Sequence, residues 1–477
     1  MSGRQPAWAP LAGLIVLAAI LRFATLEVQS LWLDEAATIG LVRRGFWDML
    51  SVLPAAESSP PLYYVLAWVW AKLFGTGAIG VRSLSVVLGT LIVPVAYAAA
   101  LPVSRRAGLW AAAIAAASPL TFYYSQEARA YALLILLCGL SFVLFQRALE
   151  APRPRTLALW ALTGALALLT HYFAAFVLLP EAVWLVRRHG ARASAPYVGA
   201  LCLVGAALAP LAIRQRSDSK SNWIEDTSLA SRIAQAPKQF LVGIDSPAEY
   251  AATGAATLLV ALALGLLIAR GGGRERAAAA RAGVVVAVAL GVPLVLALTG
   301  AIDVFNGRNV VGVWVPAAAV VAIALAAGGR AGAVVGGLLA AVSLAVIAGV
   351  LTDPTTQRDD WRDAAKALPT GPGSVVVAPA NGEVPLRVYL PGVRQLKGSS
   401  IEARELSFLA FPERRTGRAS LPPAPPSEAP PGFRPAGTKE TDTYAVSRFV
   451  AAQPTSVSRR ELQATLNDPS AAILAPP

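Results

Sequence analysis

The 477-residue chain is short of most of what a soluble enzyme uses. Charged residues make up 14% of it, well under the roughly 25% of ordinary soluble domains. It has two cysteines, two methionines and two histidines. Cys138 and Cys202 both fall inside apolar runs, which leaves no disulfide scaffold and no CxxC metal site. There is no HExxH, no P-loop and no GxGxxG in a strand-to-helix setting, and Gly271, Gly272 and Gly273 lie between apolar runs, so ATP and nicotinamide chemistry have no motif to stand on. No tandem repeat is visible either.

What the chain has in abundance is hydrophobic residues, 56% of the total, with a mean hydropathy of +0.56. A bilayer core needs roughly 20 apolar residues per helix. About eleven such segments can be drawn, starting near Trp8, Val81, Gly108, Tyr131, Thr156, Phe173, Ala195, Tyr250, Ala282, Val310 and Ala331. The first reads as a retained anchor rather than a signal peptide, because further spans follow and no clear small-residue cleavage site does.

The net charge of +13 reports topology, not nucleic acid, since the basic residues are not gathered on one soluble face. With the N-terminus inside, the cytoplasmic connectors hold Arg4, Arg105, Arg106, Arg147, Arg153, Arg155, Arg187, Arg188, Arg192, Arg270, Arg274, Arg276, Arg281 and Arg330, opposed by Glu150, Glu181 and Glu275. The positive-inside rule then sets the orientation and sends the C-terminal segment outside. His189, in VRRHGAR, belongs to a basic connector and needs no further role.

The expected fold is mainly α: a polytopic transmembrane bundle over residues 1–351 and a small extracytoplasmic α/β domain over 352–477. Residues 27–80 form a first outer loop too long for a turn. Within it, PPLYYVLAWVWAKLFG reads as an interfacial helix, aromatic-rich with Lys72 near its end. In the tail, DDWRDAAKAL reads as a short amphipathic helix and SVVVAPA as a strand. LPPAPPSEAPPGFRP reads as a Pro-rich linker, leaving about half of the tail to pack. Residues 214–249 read as a long polar loop.

The unusual polar clusters all fall on the outer side: Asp34 and Glu35 in LWLDEAATIG; Tyr63 and Tyr64; Tyr123 to Arg129 in YYSQEAR; His171 and Tyr172; Asn306 and Arg308 in FNGRNVV. An isolated Asp-Glu pair is most often solvated, an arginine at the head of a span often snorkels and pairs locally, and a lone histidine at a span end is more often an interface residue than a catalyst. Together they suit a specific chemistry. Guanidinium forks suit phosphate, a phospholipid headgroup about as well as a substrate phosphate. A lipid phosphate leaving a sugar departs without a proton, so such a reaction needs cations and one base. A hydrolytic pair needs separated carboxylates, and neighbouring side chains such as Asp34 and Glu35 diverge, so one of the two faces substrate.

In order, LWLDEAATIG, SPPLYYVLAWVWAKLFG, SPLTFYYSQEARAYALLILL, LTHYFAAFVLL and GRNVVGVWVP resemble the GT-C membrane glycosyltransferases, specifically the family 39, protein-O-mannosyltransferase-like group that includes lipid A aminoarabinose transferase. The resemblance covers the chain to about Val350. It implies inverting transfer of a sugar from a polyprenyl-phosphate donor to an acceptor hydroxyl at the outer face of the cell membrane, the acceptor being a glycan, lipid or protein. It makes Asp34 the base and Glu35 a supporting or metal-proximal carboxylate. Arg129 and Arg308 would hold the donor phosphate, with Tyr63, Tyr64, Tyr124, Gln126, Glu127 and His171 around them. No cofactor or metal site is called for, although a divalent cation is compatible with the resemblance, and the other partners are membrane lipids. One position departs: where many relatives have His or Lys before the PPLYY-like stretch, this chain has Ser59. Two other readings compete. A transporter or lipid flippase usually gathers substrate residues at the midplane of interrupted helices with internal repeats, and an inactive scaffold would use only its exported tail.

Overall fold

A computed structural model describes residues 8–217, Ile224, 227–412 and 422–477. Arg4, part of the 214–249 loop and Leu421 at the head of the Pro-rich stretch lie outside the described residues. The helices run α1 (Ala9–Phe23), α2 (Leu33–Val42), α3 (Phe46–Ala56), α4 (Leu62–Phe74), α5 (Ala78–Ala100), α6 (Arg105–Ala117), α7 (Pro119–Ser125), α8 (Tyr131–Glu150), α9 (Pro154–Thr170) and α10 (Ala175–His189). They continue as α11 (Ala191–Ser217), α12 (Leu229–Val242), α13 (Glu249–Arg270), α14 (Gly273–Leu298), α15 (Gly307–Val310), α16 (Trp314–Ala327) and α17 (Gly329–Thr352). Two compact units result, Met1–Leu26 with Arg44–Gly349, and Glu27–Arg43 with Val350–Pro477.

The first unit is helical. Each expected span start falls within a helix or a few residues ahead of one, in α1, α5, α6, α8, α9, α10, α11, α13, α14, α16 and α17. Among the described residues, seven helices are long and apolar enough to cross a membrane: α5, α8, α11, α13, α14, α17 and the α15–α16 segment Gly307–Ala327. The other four, α1, α6, α9 and α10, have 15, 13, 17 and 15 residues. Local chemistry shortens α6: Ser118 caps α7, its hydroxyl accepting the Thr121 N–H at 3.4 Å with Pro119 at the first helical position, a helix start that ends the helix before it.

Burial separates core helices from peripheral ones. In α8 and in Gly307–Ala327, 72% of the most apolar window is buried, against 11–28% in α11, α13, α14 and α17. The core is built on small residues that let backbones approach. A Cβ at Gly139 would press on Val315, and one at Gly312 on Cys138.

The long outer loop is helical as well, through α2, α3 and α4. Lys72 sits over the Trp68 ring at 4.7 Å, the Trp68 indole donates to the Arg44 carbonyl at 2.9 Å, and Gly75, at φ +80°, ends α4 in a conformation that favours glycine. The polar loop contains α12. Its Leu229, Ile233, Ala236 and Phe240 follow a helical period, a signal that the high polar content of the loop hides.

The second unit is a six-stranded sheet, β1 (Ser374–Ala378), β2 (Arg394–Gln395), β3 (Ser400–Ala410), β4 (Arg434–Glu440), β5 (Ala445–Ser458) and β6 (Ala472–Ala475), with α18 (Trp361–Ala367), α19 (Glu383–Tyr389) and α20 (Arg459–Thr465). The strand order is β2-β6-β1-β3-β5-β4, with β1 parallel to β3 and the other pairs antiparallel. Every residue of β1 is buried because the sheet is covered on both faces, as its unbroken apolar run requires. Val376 packs with Trp361 and Leu386 on one face, while Val375 and Val377 pack with Phe408 and Leu462 on the other. The expectation that only half of the tail packs is corrected. Residues 434–475 supply β4, β5, α20 and β6, and the described part of the Pro-rich stretch packs as well, with Phe433 buried in the core that holds Phe408 and Phe449 and Ala429 against it. Cross-strand pairing between β3 and β5, from Ala410 with Ala445 to Ser400 with Ser458, leaves no local mark in the sequence.

Candidate active site

The YYSQEAR segment is held from below by α1. Arg22 is fully buried and meets only neutral acceptors: Ser125 Oγ at 3.0 Å, the carbonyls of Ala18, Ala116 and Ala115 at 3.2, 3.3 and 2.9 Å, and Thr121 Oγ1 at 3.1 Å. Ala115 and Ala116 lie in the last turn of α6, where helix carbonyls lack intrahelical partners and the negative end of the helix dipole suits a cation. The Gln126 side-chain amide donates to the Arg22 carbonyl at 3.2 Å and to Thr25 Oγ1. A Cβ at Gly89 would collide with the Ser125 hydroxyl, so α5 packs directly on α7. The turn closes with the Arg129 N–H bonded to the Glu127 carbonyl at 2.8 Å.

Arg129 emerges from that turn into a mixed shell of acid and rings. Its Nη1 is 2.6 Å from Oε1 of Glu57, which is 4% exposed, and its guanidinium lies 6.0 Å from the Tyr64 ring centroid. Tyr63 meets Tyr64 edge-on and has its hydroxyl 3.3 Å from Ser85 Oγ on α5. The Tyr124 ring lies tilted against Tyr131 with centroids 4.7 Å apart, and Tyr131 lies tilted against His171 at 6.0 Å, while His171 Nδ1 accepts the Phe173 N–H at 3.4 Å. The Tyr124 hydroxyl is buried with no hydrogen-bond partner among the described residues. Ser59 occupies a satisfied position: its carbonyl accepts Gln215 Nε2 at 3.2 Å, and Gln215 Oε1 accepts the Tyr172 hydroxyl at 2.6 Å.

Arg308 completes the group from α15. It lies within electrostatic reach of Tyr131, Tyr123, Glu127 and Tyr124. Asn306 caps this short helix by accepting the Arg308 N–H at 3.0 Å, and Asn309 donates to the Val304 carbonyl at 2.8 Å. The preceding loop is fastened by Arg232 of α12, bidentate on Asp303 at 2.6 Å for each bond and also bonded to the Phe305 carbonyl at 2.8 Å. That pairing, chiefly its hydrogen bonds, holds the Asp303 carboxyl below its ordinary range. Packing of α12 on α15 is close, for a Cβ at Gly307 would strike the Gln239 side chain.

Asp34 and Glu35 belong to the other unit, in the first turn of α2, where carboxylates suit the positive end of the helix dipole. They diverge. Glu35 is fully buried and pairs with Arg358 at 3.3 Å, while Arg358 lies 5.8 Å from the Trp32 ring centroid. Asp34 is half-buried, and its carbonyl accepts the Thr38 hydroxyl at 3.2 Å. The segment is strapped to its own unit through the Tyr389 hydroxyl, which accepts the Leu31 N–H at 2.7 Å, and through Arg362, which donates to the Glu27 and Gln29 carbonyls at 2.9 and 3.2 Å.

The helical unit thus gathers Arg129, Arg308, Tyr64, Tyr124, Glu127 and His171, directs Tyr63 toward α5 and directs Gln126 toward α1. The sheet unit carries Asp34 and Glu35. Sequence reading missed Arg22, Glu57, Arg232 and Arg358. An arginine inside the first apolar run was a visible signal, whereas Glu57 and Arg358 pair at separations of 72 and 323 residues. Among the described residues, no three His, Cys, Asp or Glu side chains are grouped to hold a metal ion.

Residues 58–213 match the family model for dolichyl-phosphate-mannose-protein mannosyltransferase. No curated protein matches the chain. ArnT from Cupriavidus metallidurans bound to undecaprenyl phosphate is similar over 94% of this chain and 100% of its own, at a TM-score of 0.53 and 12% identity. Apo ArnT from the same organism aligns over 66% of this chain at a TM-score of 0.48 and 16% identity. The oligosaccharyltransferase AglB from Archaeoglobus fulgidus, in complex with an inhibitory peptide and a dolichol-phosphate, aligns over 75% at 0.47 and 10%. This chain spans 59% and 57% of those two chains. At such identities a likeness establishes the fold, and of these three the undecaprenyl-phosphate complex has a TM-score above 0.5. With its membrane-length helices and its small sheet domain, the chain is a multi-pass membrane protein of the GT-C fold class, protein-O-mannosyltransferase-like over residues 58–213.

Proposed function

We propose that the protein is an integral-membrane glycosyltransferase that moves a sugar from a polyprenyl-phosphate donor to an acceptor hydroxyl on the outer side of the cell membrane. The reading rests most on Arg129 and Arg308, two guanidinium groups gathered with a shell of tyrosine rings at helix ends, in and beyond the segment that matches the mannosyltransferase model. Their forks match phosphate oxygens, and Tyr64, Tyr124 and His171 supply a wall for the sugar. The matched ArnT structure carries undecaprenyl phosphate, a ligand of the proposed donor class.

In this reaction Asp34 takes the proton of the acceptor hydroxyl as that oxygen bonds to the anomeric carbon. The bond from that carbon to the phosphate oxygen breaks, and its electron pair stays on the phosphate, which leaves unprotonated and is held by Arg129 and Arg308. Attack opposite the leaving group inverts the centre. Glu35, buried against Arg358, serves to set the first turn of α2, which leaves the half-exposed Asp34 as the base. The positive charge of the connectors supports a cytoplasmic N-terminus and an outer C-terminal segment in this reading.

The test is Asp34→Asn in proteoliposomes supplied with a polyprenyl-phosphate sugar and a cell-envelope acceptor fraction. Loss of a general base lowers turnover by roughly 10²–10⁴-fold, with expression and melting unchanged. Undiminished transfer overturns the assignment of the base, and movement of fluorescent lipid between leaflets without sugar transfer makes the protein a flippase.

A further inference from the structure

Outside the candidate active site, the helical unit has a second feature built for a ligand. A groove of about 560 Å³ runs between α10 and α14, walled by Leu179, Val183 and Trp184 on one side and Val284 and Val288 on the other, with Arg187 and Arg188 at one end. Leu179, Val183 and Val284 are 48%, 41% and 45% exposed, so the aliphatic wall lies on the outer surface of the helical unit, not in its core. The arginines occupy the last turn of α10, which Gly190 ends at φ +84°. They lie some 20 Å along the helix from the His171 end, at 1.5 Å per residue, and so are not part of the candidate active site.

The end of the bundle that carries them is strongly basic. Arg274 at the head of α14 bonds to the Pro102 carbonyl, and Arg270 bonds to the Gly328 carbonyl at 3.2 Å. These bonds bring the α5–α6, α13–α14 and α16–α17 turns to the same face. The acids near those turns are few, Glu150 closing α8 and Glu275 opening α14. An apolar trough that ends in two guanidinium groups on a basic membrane face matches an acyl chain joined to an anionic headgroup.

We propose that the α10–α14 groove binds one anionic glycerophospholipid, an acyl chain lying along Leu179, Val183 and Val284 and the headgroup phosphate held by Arg187 and Arg188. Paired arginines at a membrane surface favour an anionic over a zwitterionic lipid by roughly fivefold each, so discrimination on the order of tenfold or more is expected.

Native mass spectrometry of the full chain, delipidated in detergent, reads this directly. The probes are phosphatidylglycerol and phosphatidylcholine of identical chains. The expected result is about tenfold more phosphatidylglycerol adduct on the wild type. Arg187→Gln/Arg188→Gln should abolish the preference, and Val284→Trp, which fills the groove but keeps both charges, should lower retention of the same lipid at least about fivefold. Equal retention of the two lipids overturns the proposal, as does unchanged phosphatidylglycerol binding in folded Val284→Trp protein. Displacement of the lipid by millimolar inorganic phosphate also overturns it, because the arginines would then be holding phosphate without the groove.

Discussion

Two buried arginines in the helical unit do opposite things with the same side chain. Arg22 is surrounded by neutral acceptors, two of them carbonyls at the end of α6, and bonds no carboxylate among the described residues. Arg129 faces the buried carboxylate of Glu57 and the face of Tyr64. The difference teaches how to tell a brace from a ligand site. A guanidinium whose donors are all taken up by main-chain carbonyls and hydroxyls has little reason to exchange partners, because leaving them gives up several buried hydrogen bonds at once. Paired instead with a carboxylate and set against an aromatic face, it sits in an arrangement whose geometry a phosphate can match.

The largest expected effect comes from breaking the brace. Arg22→Met takes the guanidinium bond from the Ala116 carbonyl and leaves the Ala115 carbonyl and the Thr121 hydroxyl with only each other and the Ser118 carbonyl, at roughly 1–3 kcal/mol for each buried group left unpaired, and releases the Gln126–Arg129 turn. Melting of the purified protein, followed by intrinsic fluorescence in detergent, should fall by at least several degrees, and sugar transfer should fall with it. Arg22→Lys keeps the charge but not the fork, and should recover only part of the loss. If Arg22→Met melts like the wild type, the distinction between brace and ligand site is wrong.

Arg129 should behave differently, and a double variant sharpens the contrast. Arg129→Gln removes a phosphate-holding group, at about 10²–10³-fold in turnover, and also strands Glu57 as an uncompensated buried acid, which costs roughly 3–5 kcal/mol when one partner of such a pair is removed. Adding Glu57→Gln should restore melting without restoring transfer. Were the double variant to regain transfer, Arg129 would be a structural partner of Glu57 and not a donor ligand. Arg308→Gln removes the second phosphate-holding group and should lower transfer by a similar factor.

How far these roles could be read from sequence depended on the range of the interaction behind each. Apolar runs of membrane length, the YYSQEAR turn, the Trp361–Ala367 helix and the β1 strand are local patterns, and all were legible. Arg22 was legible in kind, as a charge inside an apolar run, but its partners were not, because α6 and α7 supply them from about 100 residues away. Glu57 sits in AAESSPP with no periodicity to mark it. Pairing of Glu35 with Arg358 requires knowing that residues 27–43 pack with the tail, which only the folded chain reveals. Helix α12 was hidden for the opposite reason: its amphipathic period was present, but the polar residues around it read as loop.

The smallest effect belongs to the strap behind Arg308. Arg232 grips Asp303 through both carboxylate oxygens, but it also bonds the carbonyls of Thr227 and Phe305 at 2.8 Å each. Asp303→Asn therefore leaves part of the strap in place, and Arg308 should lose only precision of placement. The expected result is a rise of a fewfold in KM for the donor with kcat little changed. A dependence on pH separates this from a general loss of stability. The Asp303 carboxyl is held below its ordinary value by Arg232, so its contribution is in place at and above the ordinary aspartate value near 3.9. It is lost only as pH falls through the lower value of the folded state. Wild type and Asp303→Asn should thus differ by a constant margin in melting at neutral pH and converge in acid, below about pH 4. A margin that instead grew in acid would mean that the carboxyl is not gripped by Arg232 in its charged form, and Asp303 would have no part in placing Arg308.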